Sequence, residues 1–194
     1  MSRRIFIATL ACLAADLLAA SDPAGKKHFW STLKTGGRVI LLRHVQTDPG
    51  VGDPANFKLE SCGTQRNLSA KGRADAKRIG QAFASRNIPV REVLSSRWCR
   101  CIDTAQLAFG RVKPVAMLDS MFDDPASARR QKADAVLAFA GGYTGPGNLV
   151  LVTHAQNIQA LTGISPAPGE LIVVALATSE EFTVIGRLAV PGEY

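Results

Sequence analysis

The chain has 194 residues, of which 46% are hydrophobic and 20% are charged, and its formal net charge is +7. This length fits one globular domain with a sizeable core, so no second domain is needed to account for it. The positive charge is concentrated in residues 58–113, where twelve Lys and Arg residues stand against four acids. Such a zone attracts phosphate esters, nucleic acid or anionic lipid. Because its basic residues are not interleaved with aromatic ones, we expect no nucleic-acid partner.

The N-terminus has the pattern of an export signal. Two arginines precede an uncharged run at residues 5–15, and small residues at 19–21 offer a cleavage site before Asp22. The run is shorter than the roughly 20 apolar residues of a transmembrane anchor. We therefore expect residues 1–21 to be a signal peptide and residues 22–194 to be a single domain. That domain would be periplasmic or secreted, with no stable membrane insertion once the leader is removed.

Three cysteines remain after the expected cleavage: Cys62, Cys99 and Cys101. An oxidising compartment allows one disulfide among them and leaves one thiol over. Cys99 and Cys101 are separated by a single residue and cannot easily bond to each other. We expect Cys62 to pair with one of them, although three buried apolar thiols would fit the sequence equally well.

The first half of the chain alternates between strand and helix patterns. We interpret residues 22–35 as a lead-in to an apolar run at residues 38–42, which is typical of a strand buried on both faces. A loop rich in Gly, Pro and Asp then spans residues 47–67. The elements predicted next are a helix capped by Ser69 that runs to about residue 85, a strand at residues 93–95, and a helix at about residues 98–109 that ends at Gly110.

The second half continues the alternation. The predicted elements are a strand at residues 115–118, a helix with Asp124 as N-cap and Pro125 as first residue that runs to about residue 139, a strand at residues 149–152, a short helix to about residue 161, and strands at residues 171–176 and 182–188. This order predicts an α/β fold in which helices cover both faces of a mostly parallel sheet. Ligands of such sheets bind beyond the carboxyl ends of the strands.

Polar side chains follow three of the predicted strands at that edge. They are Arg43 and His44 after the first strand, Ser95, Ser96 and Arg100 after the second, and Thr153 and His154 after the fourth. Two imidazoles and two guanidiniums that share one crevice repel one another unless an anion lies between them. The sequence therefore predicts a phosphate site.

Residue chemistry suggests how such a site would work. A neutral imidazole is a competent nucleophile, and phosphoryl transfer to His44 would divide hydrolysis into two easier steps. Arg43 and Arg100 would hold the phosphoryl oxygens, and a protonated His154 would add a further donor. Phosphoryl transfer mainly requires positioning and charge stabilisation, so these residues imply no metal and no other cofactor.

These segments resemble a known family. The run Leu41-Leu42-Arg43-His44 is similar to the hallmark of the histidine phosphatase superfamily, which includes the phosphoglycerate mutases. Three further segments match in order between about residues 38 and 160: Leu68-Ser69 with Gly72, Ser95-Ser96 with Arg100 and Thr104-Ala105, and Val152-Thr153-His154 with Asn157. The resemblance implies a three-layer phosphoglycerate-mutase-like fold. It also implies a phosphatase that hydrolyses small phosphomonoesters through a phosphohistidine on His44.

The sequence departs from the family pattern at two points. Val45 replaces the usual glycine after the nucleophile, and no Glu lies between Glu92 and Glu170 to serve as general acid. We take Asp123 as the candidate acid, and Asp48, Asp53, Asp119 and Asp124 remain alternatives. Without an acid, the enzyme would favour good leaving groups such as phosphohistidine or acyl phosphates.

Three further residues are candidate substrate contacts: Arg66, Thr47 and Asn157. Arg66 would either extend the phosphate site or anchor the loop that carries it, and the sequence leaves both roles open. The alternative to an enzyme is a catalytically inactive phosphate- or partner-binding module of the same fold, which the two departures would explain.

Overall fold

The computed structural model describes residues 23–50, 52–143, 145–178 and 181–190. The predicted signal peptide lies outside these ranges. The helices are α1 (Pro23–Lys34), α2 (Ala70–Ser85), α3 (Cys99–Phe109), α4 (Ala126–Gly141) and α5 (Ala155–Thr162). The strands are β1 (Val39–Arg43), β2 (Val90–Ser95), β3 (Lys113–Pro114), β4 (Asn148–Thr153), β5 (Glu170–Thr178) and β6 (Glu181–Ala189). Within the described ranges, every helix is too short or too polar to cross a membrane.

The strands form one mixed sheet in the order β3-β2-β4-β1-β5-β6. The four strands from β3 to β1 run parallel, whereas β5 and β6 are antiparallel additions at the other edge. Successive residues of β1 point to opposite faces, so Ile40 and Leu42 pack beneath α1, α2 and α3. Leu41 packs beneath α4 and α5 on the other face. The predicted three-layer α/β fold with a mostly parallel sheet is thus confirmed.

Several predicted boundaries are confirmed by specific capping contacts. The Ser69 hydroxyl accepts a hydrogen bond from the Gly72 amide at 3.0 Å, which caps α2. Gly110 ends α3 in a left-handed conformation with φ of 68°. The absence of a side chain at Gly72 has a second consequence, because a Cβ atom there would overlap the carbonyl oxygen of Gln46. Gly72 therefore lets α2 pack directly against the segment that follows β1.

The segment at residues 22–35 holds more structure than a lead-in. Residues 23–34 form α1, which buries Phe29, Trp30 and Leu33. Trp30 contacts Phe83 edge to face, with 5.4 Å between the ring centroids. The helix forms because these three side chains close the sheet face beside α2, which is a tertiary effect.

Two predicted features around residues 113–125 are wrong. The third strand lies at residues 113–114 and not at residues 115–118. A 3-10 turn forms at Ala116–Leu118 instead, because Leu118 turns into the core there. Helix α4 has Pro125 as its N-cap residue and begins at Ala126, so Asp124 does not cap it. The Asp124 carboxylate instead accepts a hydrogen bond from Lys132 Nζ at 2.6 Å, and this ion pair replaces the capping contact.

Candidate active site

The carboxyl ends of β1 and β4 bring His44 and His154 together. Arg43 aligns with Thr153 in the parallel register, and the His44 amide donates to the Thr153 carbonyl at 2.9 Å. Both imidazoles are buried, at 5% and 2% exposure, and their ring centroids are 5.4 Å apart. Arg100, in the first turn of α3, places a terminal nitrogen 3.5 Å from His154 Nδ1. These side chains therefore share one pocket.

The geometry of His44 defines which nitrogen is free to react. Its Nδ1 lies 2.9 Å from the carbonyl oxygen of Val45. A carbonyl oxygen only accepts hydrogen bonds, so Nδ1 carries the proton and Nε2 keeps its lone pair. Val45 itself is fully buried in the core beneath α2, which fixes the carbonyl that orients the ring.

The electrostatic environment keeps His44 neutral. Burial is the main cause that lowers its pKa, to about 3, and nearby positive charges act in the same direction. These charges belong to Arg100, Arg43 and Arg66. The hydrogen bond to Val45 opposes the shift but does not reverse it. At neutral pH the ring is therefore an unprotonated imidazole, which is the form that a nucleophile requires.

His154 is held by a short chain of hydrogen bonds. Its Nε2 lies 2.9 Å from the Ser96 hydroxyl, which in turn lies 3.4 Å from the Asp119 carboxylate. The serine donates to the carboxylate and accepts from His154, so His154 carries its proton on Nε2. Burial lowers the pKa of His154 well below 6.5, and nearby positive charges, that of Arg100 among them, act in the same direction. A bound anion would raise this pKa and favour the protonated ring that can donate.

Three guanidiniums surround the pocket with unsatisfied donors. Arg43, Arg66 and Arg100 each have a buried Nε atom without a hydrogen-bond partner among the described residues. The pKa of Arg43 and that of Arg100 are lowered, first by burial and then in part by the charge of Arg66. Buried donors and crowded positive charge are both costly without an acceptor. An anion with several oxygens, such as phosphate, would satisfy them.

The loop at residues 47–67 delivers Arg66 to this pocket. One carboxylate oxygen of Asp53 accepts from the Arg66 amide at 2.9 Å and from the Arg100 guanidinium at 3.0 Å. The Arg66 backbone thus anchors the loop and its positive charge lowers the pKa of His44, whereas its contact with phosphate stays a prediction. Asp53 orients Arg100 rather than standing free as a proton donor.

Two further contacts fasten this loop to α3. Gln65 accepts a hydrogen bond from the Cys99 amide at 3.0 Å and donates to the carbonyls of Lys58 and Leu59. The Cys62–Cys99 disulfide joins the same two segments, which settles the pairing that the sequence left open. Cys101 is free and buried, with its sulfur 3.6 Å from His154 Nε2. The loop thus depends on α3 for its position.

Replacing Cys62 and Cys99 together by serine should lower stability. The disulfide closes a loop of 37 residues and so restricts the entropy of the unfolded chain. Its removal is expected to lower the free energy of unfolding by about 4 kcal/mol. For a domain of this size, that corresponds to a fall of roughly 8–15 °C in Tm. Calorimetry with and without dithiothreitol checks it, because the reductant should lower the Tm of the wild type and leave the double variant unchanged. Equal Tm values for both proteins would contradict the prediction.

The candidate acids differ in their availability. The Asp119 carboxylate is buried and accepts three hydrogen bonds from Arg97, two from the guanidinium at 2.8 and 2.5 Å and one from the backbone amide at 2.8 Å. Asp53 and Asp124 hold the ion pairs with Arg100 and Lys132. Asp123 and Asp48 are exposed in loops. Asp123 lies in the loop between the 3-10 turn at Ala116–Leu118 and α4, and its role as proton donor stays a prediction.

Asn157 and Thr47 take up positions that the sequence did not specify. The Asn157 amide donates to the Leu118 and Asp119 carbonyls and accepts from the Met121 amide. These bonds support the loop before α4, and contact with substrate stays a prediction. Thr47 is half-buried and pairs with Leu68 in an isolated antiparallel bridge at the start of the 47–67 loop.

Three residues shape the pocket in ways that no sequence pattern indicates. Ser96, which the sequence places only at the end of a strand, holds His154. Gln65 belongs to no motif, and its position beside Arg66 is the one signal for it. Trp98 packs edge to face against His154, with 5.7 Å between the ring centroids. Within the described residues, no group of three or more His, Cys, Asp or Glu side chains has a metal-binding arrangement.

Comparisons with known proteins agree with this architecture. The family model of the histidine phosphatase superfamily (branch 1) matches residues 39–122, which include His44 and Arg100. No significant match was found among curated protein sequences.

Solved structures extend the similarity to most of the chain. The protein histidine phosphatase SixA complexed with tungstate is 14% identical, with a TM-score of 0.56 over 79% of this chain and 97% of that one. YhfR of Bacillus stearothermophilus is 17% identical, with a TM-score of 0.58 over 77% and 95%. Phosphoserine phosphatase of Entamoeba histolytica in complex with 3-phosphoglyceric acid is 14% identical, with a TM-score of 0.56 over 77% and 95%. At these identities the likeness concerns the fold.

Proposed function

We propose that this chain, whose residues 39–122 match the histidine phosphatase superfamily (branch 1), is a phosphatase of that superfamily acting on small phosphomonoesters through a phosphohistidine at His44. One observation carries the proposal. A neutral imidazole with a free Nε2 lies among three guanidiniums whose buried Nε atoms have no partner among the described residues. This combination of a nucleophile and an unsatisfied anion site suits phosphoryl transfer.

In the first step, His44 Nε2 attacks phosphorus while the bond from phosphorus to the leaving oxygen breaks. The guanidiniums of Arg43, Arg66 and Arg100 bind the phosphoryl oxygens and stabilise the charge that develops on them. In the second step, water attacks the phosphohistidine, the P–N bond breaks, and inorganic phosphate leaves with His44 neutral again. Protonated His154 donates to a phosphoryl oxygen in both steps.

The leaving oxygen needs a proton unless it is a good leaving group. Asp53, Asp119 and Asp124 hold ion pairs, which leaves the exposed Asp123 and Asp48 among the candidates. We propose Asp123 as the donor, with Asp48 as the alternative. Substrates that leave without a proton, such as phosphohistidine and acyl phosphates, would not need it. The similarity to a protein histidine phosphatase supports including phosphohistidine among the candidate substrates.

A non-catalytic phosphate-binding module is the second candidate. It is favoured by the ion pairs that hold the carboxylates of Asp53, Asp119 and Asp124, and by the fully buried Val45 beside His44. Such a module would retain the guanidinium pocket and bind phosphate without turnover.

We also propose that the protein works outside the cytoplasm. The Cys62–Cys99 disulfide supports this proposal, because stable disulfides form in oxidising compartments. The signal-peptide pattern of residues 1–21 points in the same direction. Cell fractionation of the full chain, with N-terminal sequencing of the product, tests it. Full-length protein in the cytoplasm would overturn it.

The function is tested by rapid quenching of the wild type with ³²P-labelled phenyl phosphate, acetyl phosphate and phosphohistidine. We expect phosphate release and an acid-labile, alkali-stable label on the peptide that contains His44. Thermal stabilisation by phosphate without hydrolysis would favour the binding module instead. Turnover with no label on this peptide would contradict the phosphohistidine intermediate.

A further inference from the structure

Two aromatic side chains stand at the side of the phosphate pocket. Trp98 immediately precedes α3 and contacts His154 edge to face, with an angle of 82° between the rings. The Arg100 guanidinium carbon lies 5.9 Å from the centroid of the same indole. Because His154 and Arg100 both belong to the pocket, the indole forms its apolar wall.

The second ring comes from the 47–67 loop. Phe57 packs on Trp98 with 5.5 Å between the centroids and an angle of 46° between the planes. Both side chains are half-buried, so each keeps part of its surface open. The two rings together make an apolar platform, defined by Trp98 and Phe57, that borders a site otherwise built from charged and polar groups.

The position of the platform relates it to the leaving group. The guanidiniums of Arg43, Arg66 and Arg100 would bind the phosphoryl oxygens, so the organic part of a substrate has to leave the pocket along one of its walls. Trp98 is the wall beside His154 and Arg100. A flat aromatic group attached to the phosphate would stack on the open surface of the platform and gain from both apolar burial and ring contact.

We propose that Trp98 and Phe57 form a leaving-group subsite that selects substrates in which the phosphate is attached to an aromatic ring. The proposal rests on the proposed function. Aryl oxygens leave more readily than alkyl oxygens, which suits a pocket where three of the five candidate carboxylates are held in ion pairs. The platform and the engaged carboxylates therefore point to the same class of substrate.

Binding of stable phosphonates tests the subsite without turnover. Benzylphosphonate mimics phenyl phosphate, ethylphosphonate lacks the ring, and cyclohexylmethylphosphonate has similar bulk without a flat face. By calorimetry, we expect the wild type to bind benzylphosphonate about tenfold more tightly than either of the others. Trp98→Ala should bring the ratio of Kd values close to one, and Phe57→Ala and Trp98→Phe should give intermediate ratios. Phe139→Ala, at an exposed ring on α4, is the matched control and should keep the wild-type ratio.

The outcomes separate this inference from the proposed function. Equal Kd values for benzyl- and ethylphosphonate in an active enzyme would overturn the subsite alone. The same holds if cyclohexylmethylphosphonate binds as tightly as benzylphosphonate, or if the ratio survives in both alanine variants. Should Trp98→Ala fail to fold, Phe57→Ala decides between the same results. If no phosphonate binds, the phosphate pocket and the proposed function fail together with the subsite.

Discussion

His44→Ala is expected to abolish the covalent label and to lower kcat by about 10⁵-fold or more, because loss of a nucleophile removes the two-step route altogether. The remaining guanidiniums would still bind phosphate, so KM should change far less than kcat. Steady-state kinetics and acid-labile labelling check both parts. A large fall in kcat with little change in KM would indicate loss of the nucleophile, whereas collapse of the pocket would change both.

Two further variants control this experiment. His44→Asn can keep a side-chain donor near the Val45 carbonyl, so it should retain the fold while losing the label. His28→Ala removes an exposed histidine of α1 and should behave as the wild type. Full activity in either His44 variant would disprove the phosphohistidine mechanism. If His28→Ala lost as much activity as His44→Ala, the effect would not be specific to the pocket.

The core strands and the pairing of the two histidines could be predicted from the sequence. The run at residues 149–152 is apolar throughout because β4 is central and covered on both faces. Parallel strands end at the same edge, so a polar residue after β1 and another after β4 must lie close together. His44 and His154 follow from this rule without knowledge of any side-chain contact.

Other parts of the site depend on contacts that no local pattern reveals. Asp53 meets Arg100 across 47 residues, and Gln65 meets the Cys99 amide across 34 residues. The choice of Cys99 over Cys101 follows from which side of α3 faces the loop, since Cys101 turns into the core. Helix α1 could not be predicted for a similar reason, because its apolar residues are held by packing against the sheet face and not by a local sequence pattern.

Arg100→Ala is expected to lower kcat/KM by about 10³-fold, the second largest effect. Loss of one preorganised donor usually costs 10² to 10³, and a guanidinium on a transferring phosphoryl group contributes at the upper end or above. Arg100 is 2% exposed, and its removal also leaves the Asp53 carboxylate without its partner at 3.0 Å. The uncompensated carboxylate would repel the phosphate, which adds to the loss.

Arg100→Lys separates charge from geometry. Lysine keeps the positive charge but lacks the planar fork that can face Asp53 and the phosphate together, so we expect it to recover only part of kcat/KM. Arg73→Ala is the matched control, because Arg73 lies in the same basic zone and its ion pair with Asp103 is exposed. Surface pairs of this kind contribute about 0–1 kcal/mol, and this variant should stay within about twofold of the wild type. If Arg73→Ala lost as much activity as Arg100→Ala, the general positive charge of residues 58–113 would account for substrate capture and the buried guanidinium would not.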